Sequence, residues 1–230
     1  MKVSRSITML KIYIGIWGNA SRDIRELPLC QEMGLNTIVM SKAKTNEGPK
    51  TEYIDGFEVR MLSSRPLGDW LPISISRLLS LITWAYYVRK LKPDIISGHD
   101  LAGLAIGWLY SVFFSGPRKP RLIYDSHEFE LGRDSGRTRL ELWLLRHLEH
   151  FLIQRCAFSI VVSESIADEM QRIHKLKKRP TVVRNTPPKW ALANEEIQQT
   201  KAMFFKLLGV SSTSFIMMYH GNVTENRGIE

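Results

Sequence analysis

The stretch RLIYDSHEFE, residues 121–130, joins a short apolar run to a group of polar residues. The run LIY predicts a buried β-strand. It is followed at once by Asp125, Ser126, His127 and Glu128. In open parallel α/β sheets, ligands bind just beyond the carboxyl ends of the strands, so a histidine between two carboxylates there indicates a binding or reactive site. The alternative is a helix start, with Asp125 or Ser126 as its cap and the imidazole merely packed. The stretch alone leaves both interpretations open.

Length and composition indicate a globular protein with one large domain, or one domain and part of another. The chain has 230 residues, of which 44% are hydrophobic and 24% are charged. Its two cysteines, Cys30 and Cys156, lie in apolar, helix-like sequence, which favours reduced thiols over a disulfide framework. No signal peptide is expected, because Lys11 breaks the first apolar run and no small-residue cleavage site follows.

Two apolar segments, residues 78–88 and 101–116, fall short of the roughly 20 apolar residues that cross a bilayer. We expect them to be buried core helices. Both are rich in aromatic residues, so the alternative is that one of them lies in the membrane interface. The aromatic residues are Trp84, Tyr86, Tyr87, Trp108, Tyr110, Phe113 and Phe114.

The net charge of +9 points to anionic partners. Basic clusters stand at residues 89–92, 118–121 and 174–179. No helix-turn-helix, zinc-finger or RNA-binding aromatic motif accompanies them, so nucleic acid is not expected as a partner. An anionic membrane surface or a phosphorylated small molecule fits better. A solvated basic face is the alternative that needs no partner.

Apolar strands alternate with helices along most of the chain. Strands are predicted at residues 7–17, 36–41, 94–97, 122–124, 158–163 and 180–185, and helices at 21–34, 73–91, 101–114, 138–157 and 163–174. Asp55 and Gly56 lie between two short β runs and predict a hairpin. This alternation is typical of an α/β fold, and it predicts a Rossmann-like parallel sheet with helices on both faces.

The alternation breaks at TPPKW, residues 186–190, where two consecutive prolines predict a stiff connector. Beyond it, we expect a helix capped by Asn194 that runs to Leu208, and one more strand at residues 214–222. These elements are too few for a second sheet domain. The predicted organisation is one α/β domain at 1–185, a linker at 186–193, and a truncated start of a second domain at 194–230.

Several common cofactor and catalytic motifs are missing from the sequence. Gly15 and Gly18 match the GxGxxG fingerprint only weakly. There is no Walker phosphate loop and no nucleophile elbow. His147 and His150 stand at helical spacing beside Glu149, but no further metal-type ligand recurs nearby. Surface or hydrogen-bonded histidines explain this group better than a metal site, so no metal is expected.

Polar residues recur at the predicted carboxyl ends of the strands. They stand at residues 19–22, 98–100, 125–128 and 163–165, and at Asn185. Because parallel strands share their carboxyl end, we expect these groups to converge on one edge of the sheet. The convergence favours the binding-site interpretation of residues 125–128.

Several short motifs also follow one another in a recognisable order. They are SRDIRE at 21–26, PDIISGHD at 93–100, LIYDSHE at 122–128, LEHFLIQRCAFSIVVSESIADEM at 148–170, VVRNTP at 182–187 and MMYHGNVTENRGIE at 217–230. Their order and spacing resemble the N-terminal half of glycosyltransferase family 4, over nearly the whole chain. The resemblance implies the GT-B architecture of two facing Rossmann-like domains, here the acceptor-side domain and the opening of the nucleotide-sugar domain.

The resemblance implies transfer of a sugar from a nucleotide sugar to a glycan, lipid-linked or other acceptor, with retention at the anomeric carbon. His127 matches the family's histidine that faces the transferred sugar. Arg22, Gly221 and Arg227 match positions that meet the donor phosphates, where cations stabilise the leaving group. The loop of Arg22 lacks the Gly-Gly turn of many members, and Asn222 stands where many have a second cation.

Sugar or acceptor hydroxyls are expected to meet Asn19, His99, Asp100 and Glu128, because carboxylates and polar side chains bind hydroxyls well. No protein nucleophile, cofactor or metal is implied, and the nucleotide sugar is a substrate. The family's donor-binding glutamates lie further along the second domain than residue 230. The 230-residue chain is therefore expected not to turn over alone, whether it is a fragment or needs a second chain.

Two functions stay open. One is a glycosyltransferase, or its N-terminal part, that acts on a membrane-associated or polysaccharide-linked acceptor. The other is a non-catalytic acceptor- or membrane-docking subunit for a separate donor-binding chain. Either is expected in the cytoplasm. Peripheral attachment to the inner face of the membrane is a hypothesis that rests on the basic clusters and the aromatic helices. The sugar, the nucleotide and the acceptor cannot be read from the sequence.

Overall fold

The computed structural model describes residues 6–17, 21–43, 49–63, 72–132, 136–186 and 191–218. The chain divides into two compact units, Met1–Asn185 and Thr186–Glu230. The first unit holds the sheet and the candidate site. The second contains one helix in its described part.

The first unit is built on one eight-stranded sheet. The strands are β1 (Thr8–Ile16), β2 (Asn36–Lys42), β3 (Lys50–Ile54), β4 (Phe57–Leu62), β5 (Ile95–His99), β6 (Arg121–Ser126), β7 (Phe158–Val161) and β8 (Thr181–Val182). Their order is β3-β4-β2-β1-β5-β6-β7-β8. Neighbouring strands are parallel, except for the antiparallel pair β3 and β4 at one edge. The predicted Rossmann-like α/β class is confirmed.

Helices alternate with the parallel strands, as predicted. They are α1 (Ser21–Glu32), α2 (Ile73–Val88), α3 (Asp100–Phe113), α4 (Arg139–Ile153) and α5 (Glu164–His174), and α6 (Asn194–Leu208) in the second unit. Within the described ranges, no helix is both long and apolar enough to span a membrane.

Apolar packing occurs on both faces of the sheet. On β2, Ile38 and Met40 belong to one buried cluster, whereas Val39 between them belongs to another. Because successive side chains of a strand point to opposite faces, the two clusters lie on opposite sides of the sheet. The larger cluster includes Trp84 of α2, and the smaller includes Leu27 of α1.

The predicted hairpin is present between β3 and β4. Asp55 and Gly56 form its turn, with φ values of 51° and 83°. A two-residue type I′ turn requires positive φ at both positions, which Asp tolerates and Gly adopts freely. The hairpin adds the one antiparallel edge strand to the sheet.

The chain reverses its direction across the sheet beside β1. From β1 it moves outward to β2 and β4, and α2 then returns it to β5 on the other side of β1. It continues from there to β6, β7 and β8. The connections after β1 and β5 therefore lead away from each other. Such a switch point leaves a crevice at the carboxyl edge, which is where open α/β sheets bind ligands.

Two glycines let helix α3 approach the sheet beside this crevice. A Cβ at Gly98 of β5 would lie 2.4 Å from the backbone nitrogen of Leu104, and a Cβ at Gly103 would lie 2.7 Å from the carbonyl oxygen of Ile12. The backbone of α3 therefore packs directly on β1 and β5. This contact fixes the end of β5, where His99 follows Gly98.

Replacing Gly98 with alanine should destabilise the first unit by about 2 kcal/mol, because the added methyl group meets backbone that cannot rotate away. Urea unfolding measures the change. Gly107→Ala is the matched control, since its Cβ would lie 3.0 Å from the side-chain Cγ2 of Ile96 and alanine raises helix propensity. We expect less than about 1 kcal/mol for the control. Equal losses in both variants would contradict a special close contact at Gly98.

The first apolar segment lies within α2 and most of the second lies within α3, and both contribute to the core. Trp84 is 1% exposed and Tyr110 is 3% exposed, as a core helix requires. Other aromatic residues of these segments reach the surface, among them Tyr86 and Phe113. The core-helix prediction is therefore confirmed for the inward faces of both helices.

Both cysteines are free thiols, as predicted. Burial raises the pKa of Cys156 to about 12, which keeps its sulfur protonated at neutral pH. Its Sγ lies 3.6 Å from the carbonyl oxygen of Leu152, one turn earlier on α4. Cys156 therefore behaves as a structural thiol.

Two expectations for the second unit are wrong. Asn194 is the first residue of α6 and not its cap, because Glu196 Oε2 accepts the N–H of Ala193 at 3.0 Å and supplies the capping contact. The strand predicted at 214–222 does not form over its described residues 214–218. A strand needs a pairing partner, and none is present for this segment among the described residues.

Candidate functional site

The ends of β5 and β6 lie side by side at the carboxyl edge of the sheet. The two strands are parallel neighbours, and His99 is paired with Asp125 in their register. Asp100 and His127 follow at the two strand ends. Two of the polar stretches that were predicted to converge are therefore in contact.

His99, Asp125 and His127 form one polar group, the His–Asp–His cluster. Nδ1 of His99 lies 2.9 Å from Nε2 of His127. The same Nδ1 lies 3.3 Å from Oδ2 of Asp125, and that oxygen lies 3.7 Å from Nε2 of His127. The 2.9 Å contact is a hydrogen bond, so one of the two ring nitrogens carries the shared proton.

His127 is the member of the cluster that reaches the surface. The side chains of His99 and Asp125 are 0% and 1% exposed, whereas that of His127 is 19% exposed. Tyr13 of β1 packs edge-on against the His99 ring, with 6.3 Å between the ring centroids. His99 thus lies inside the fold, behind His127. The position of His99 is that of a supporting group more than of a direct ligand for a sugar.

Asp100 connects the two strand ends. Its Oδ1 accepts a hydrogen bond from the backbone N–H of His127 at 3.1 Å. The φ of Asp100 is 55°, a left-handed conformation that costs on the order of 1 kcal/mol in a residue other than glycine. Strained backbone of this kind is concentrated at functional sites.

The backbone after β6 is a short turn and not a helix start. Ser126 Oγ donates a hydrogen bond to the carbonyl oxygen of Glu128 at 2.7 Å. The next element is a single 3-10 turn at Glu130–Gly132. The interpretation of Asp125 or Ser126 as a helix cap is therefore wrong, because the strand continues to Ser126 and no α-helix follows it directly.

The ligand atoms of the His–Asp–His cluster lie within 4.8 Å of one another, which is close enough to hold a metal ion. No other group of three such side chains is found in the described segments. The ring nitrogens of His99 and His127 already form a hydrogen bond with each other. This hydrogen bond satisfies both nitrogens without a metal ion. The sequence-based expectation that no metal is bound stays a prediction.

Other strand ends contribute structural contacts. Ser163 caps α5, where its Oγ accepts the N–H of Ile166 at 3.3 Å. Asn185 Oδ1 accepts a hydrogen bond from Nη2 of Arg25 at 3.0 Å, which joins the end of the first unit to α1. Glu128 is exposed beside His127. Outside the described residues lie Asn19, Gly221, Asn222, Arg227 and the side chain of Arg22.

A second buried polar group lies behind β6, and the sequence did not predict it. The hydroxyl of Tyr124 donates to Glu149 Oε1 at 2.7 Å, and Glu149 Oε2 lies 3.2 Å from Nε2 of His174. All three side chains are buried. We call it the Tyr–Glu–His network. The sequence did contain one signal for this network, because Glu149 falls on the inner, apolar face of an amphipathic helix. His147 and His150, its neighbours, are exposed, as predicted.

Comparisons with known proteins identify the family and agree with the fold. A family model described as Glycosyltransferase Family 4 matches residues 31–186. No protein with a curated function matches the chain at a significant level.

Solved structures share the fold at low sequence identity. Sucrose-phosphate synthase from Thermosynechococcus elongatus has a TM-score of 0.62 at 12% identity, and the match covers 84% of this chain and 52% of that one. A second structure of this synthase has a TM-score of 0.51 at 14% identity, covering 88% and 99%. The catalytic domain of Starch Synthase IV from Arabidopsis thaliana, bound to ADP and acarbose, has a TM-score of 0.58 at 15% identity. That match covers 92% of this chain and 61% of the synthase chain.

Proposed function

Because the chain belongs to glycosyltransferase family 4, we propose that it transfers a sugar from a nucleotide sugar to a glycan, lipid-linked or other acceptor, with retention at the anomeric carbon. The observation that carries this proposal is the accessible imidazole of His127, which stands on a buried cluster at the carboxyl edge of the sheet. Family and fold support glycosyl transfer in general. The donor, the acceptor and the stereochemical outcome belong to the proposal.

His127 is proposed to contact a hydroxyl of the transferred sugar. A neutral imidazole offers one donor and one acceptor nitrogen, which suits a hydroxyl partner. Because its Nε2 is bonded to His99, the ring is held in one orientation. A group that is held in place before the reaction contributes to catalysis by fixing the reacting sugar relative to the acceptor.

The departing nucleoside diphosphate needs positive charge, since negative charge builds on it as the glycosidic bond breaks. We propose Arg22, Arg227 and the backbone at Gly221 for this task, on the basis of family resemblance. Asn19, Asp100 and Glu128 are proposed to bind sugar or acceptor hydroxyls. We propose that no metal ion and no further cofactor take part.

His99 and Asp125 are proposed as positioning residues for His127. Both are enclosed, and they contact His127 from its inner side. The Asp125 carboxylate lies 3.3 and 3.7 Å from the two ring nitrogens that share one proton, and its negative charge favours a proton held between the two rings. Sugar transfer then depends on two residues that need not touch the sugar.

Asp125→Asn should therefore lower kcat about tenfold and leave the KM for the nucleotide sugar nearly unchanged. The pH dependence of kcat should also change, because the carboxylate no longer orients the two imidazoles. Asp168→Asn, at an exposed ion pair with Arg179 on the surface, is the matched control and should behave as wild type. A loss confined to protein stability, with an unaltered pH profile in the folded fraction, would leave Asp125 a structural residue only.

Because the 230 residues are not expected to turn over alone, the proposed function is tested on the chain supplied with a donor-binding half. It is incubated with a panel of nucleotide sugars and glycan or lipid-linked acceptors. Released nucleoside diphosphate and the labelled product are measured together. We expect product with one donor class, and NMR of the new glycosidic bond should show the anomeric configuration of the donor. Product of inverted configuration would overturn the retaining assignment. Failure of every donor and acceptor pair would favour the non-catalytic docking subunit.

A further inference from the structure

Helix α4 is apolar on two opposite faces, which a helix at the surface of a globular protein normally is not. One face packs inward with Leu152 and Ile153. The other face is exposed and is called the outer face of α4. It consists of Leu140 (65% exposed), Trp143 (55%), Leu144 (53%), Leu148 (47%) and Phe151 (38%). These positions recur at three- and four-residue spacing, so they form one stripe along the helix.

The outer face continues onto the end of α3 through aromatic contacts. The rings of Phe151 and Trp108 meet edge to face, with 5.2 Å between their centroids. Trp108 in turn contacts Phe113, which is 66% exposed. The sequence predicted core helices at residues 78–88 and 101–116, with a membrane-interface helix in one of them only as the alternative. The structure instead places the continuous exposed stripe on α4, and only the end of the second segment joins it.

Most charges around the outer face are positive. Arg139, Arg146 and Arg155 are exposed on and just beyond α4, and the Arg155 guanidinium lies over the Phe151 ring, 3.4 Å from its centroid. One acidic residue of the helix, Glu141, is exposed beside Leu144 and Leu148, where it closes the capping box with Thr138. The other, Glu149, is buried in the Tyr–Glu–His network.

A cavity of about 470 Å³ opens beside the outer face, between α4 and α5. It is lined by Trp143, Arg146, His147, His150, Ile173 and Lys175. Its polar residues are cations or imidazoles, and none is acidic. Burial lowers the pKa of His150, and electrostatic interactions with His174, His147, Arg146 and Lys175 lower it further. A site of this charge is complementary to a phosphate group.

We propose that the outer face of α4 docks on an anionic phospholipid surface, with its Leu and Trp side chains in the interface and its arginines on lipid phosphates. Helices that bind membranes from one side combine an apolar stripe, aromatic residues and flanking cations in this way. The positive surroundings select an anionic lipid surface over an uncharged apolar partner. The cavity beside Trp143 accepts a lipid phosphate.

Docking of this kind deepens the proposed function, because it places the site near a lipid-borne acceptor. Helix α4 follows β6 in the chain and so begins on the carboxyl edge of the sheet, where His127 lies. Its first two turns carry Leu140, Trp143 and Leu144. The role of docking in sugar transfer rests on the proposed function. Binding to the lipid surface does not depend on sugar transfer.

Flotation with vesicles tests the proposal. The purified protein is mixed with phosphatidylcholine vesicles and with vesicles of equal parts phosphatidylcholine and phosphatidylglycerol, at low and high salt. We expect flotation with the anionic vesicles at low salt, and a double variant Trp143→Glu/Leu144→Glu should reduce it about tenfold or more. Leu29→Glu, a leucine of α1 with a matching 57% exposure, is the control and should float as wild type does.

The remaining outcomes separate other occupants of this face from lipid. Equal flotation of wild type and the α4 variant, or no flotation at all, would overturn the proposal. Loss of a dimer in the variant, measured by light scattering, would assign the face to a second copy of the chain and also overturn it. Transfer to a water-soluble acceptor should be unchanged in the α4 variant, so a failure of docking and a failure of the proposed enzyme activity are distinguishable.

Discussion

His127→Ala should lower the kcat of sugar transfer about a hundredfold, with a smaller effect on the KM of the nucleotide sugar. His127 is the accessible member of the His–Asp–His cluster, and its ring is fixed through His99. Removing it deletes a positioned group that the proposal places against the transferred sugar. Steady-state rates of nucleoside diphosphate release and of product formation measure the loss.

His127→Asn and Glu128→Gln are the matched comparisons. Asparagine keeps a hydrogen-bond donor and acceptor near the sugar, so His127→Asn should retain more activity than the alanine variant. Glu128 is exposed beside His127, and its loss should act on the KM of the acceptor more than on kcat. Full activity in His127→Ala, with a normal melting temperature, would remove this residue from the site.

Glu149→Ala should destabilise the first unit by about 4 kcal/mol, because it leaves two buried polar groups without their common partner. Glu149 accepts the Tyr124 hydroxyl at 2.7 Å and lies 3.2 Å from His174. Burial, and then the Glu149 carboxylate, raise the pKa of Tyr124 well above its ordinary value, so the phenol stays protonated and remains a donor. Loss of the carboxylate leaves the Tyr124 hydroxyl buried in the core without this acceptor.

Thermal unfolding measures this loss, and a decrease in Tm of roughly 8–16 °C is expected for a unit of this size. Glu149→Gln keeps an acceptor for Tyr124 and should lose less than half as much stability. Glu141→Ala, on the exposed side of the same helix, removes the capping box with Thr138 and should cost much less stability. A change in Glu149→Ala no larger than that of Glu141→Ala would show that the network adds little to the fold.

Elements that depend on local chemistry could be predicted from the sequence. The Asp55-Gly56 turn needs only two adjacent residues that tolerate positive φ, and the hairpin formed as expected. The alternation of strands and helices likewise follows from the spacing of apolar residues along the chain. The capping of α6 was missed, because Ala193 has no capping side chain and Glu196 reaches back to it from within the helix.

The candidate site could be located from the sequence but not resolved into roles. Parallel strand ends share an edge, so contact between residues 98–100 and 125–128 followed from the fold class. The pairing of His99 with Asp125 depends on the register of β5 against β6, which no local pattern specifies. The degree of burial in the structure distinguishes the two histidines, because His99 is buried behind His127 and only His127 reaches the surface. The outer face of α4 was missed for a similar reason, because a helix with two apolar faces does not show which one is covered.

The left-handed backbone at Asp100 has a consequence for protein engineering. Glycine at this position would relieve the strained conformation, but it would also give the unfolded chain more conformational freedom. The same change would delete the oxygen that receives the His127 backbone N–H. A library built to make the protein more heat-resistant should therefore keep aspartate or asparagine at residue 100, because this side chain holds the backbone that carries the His127 imidazole.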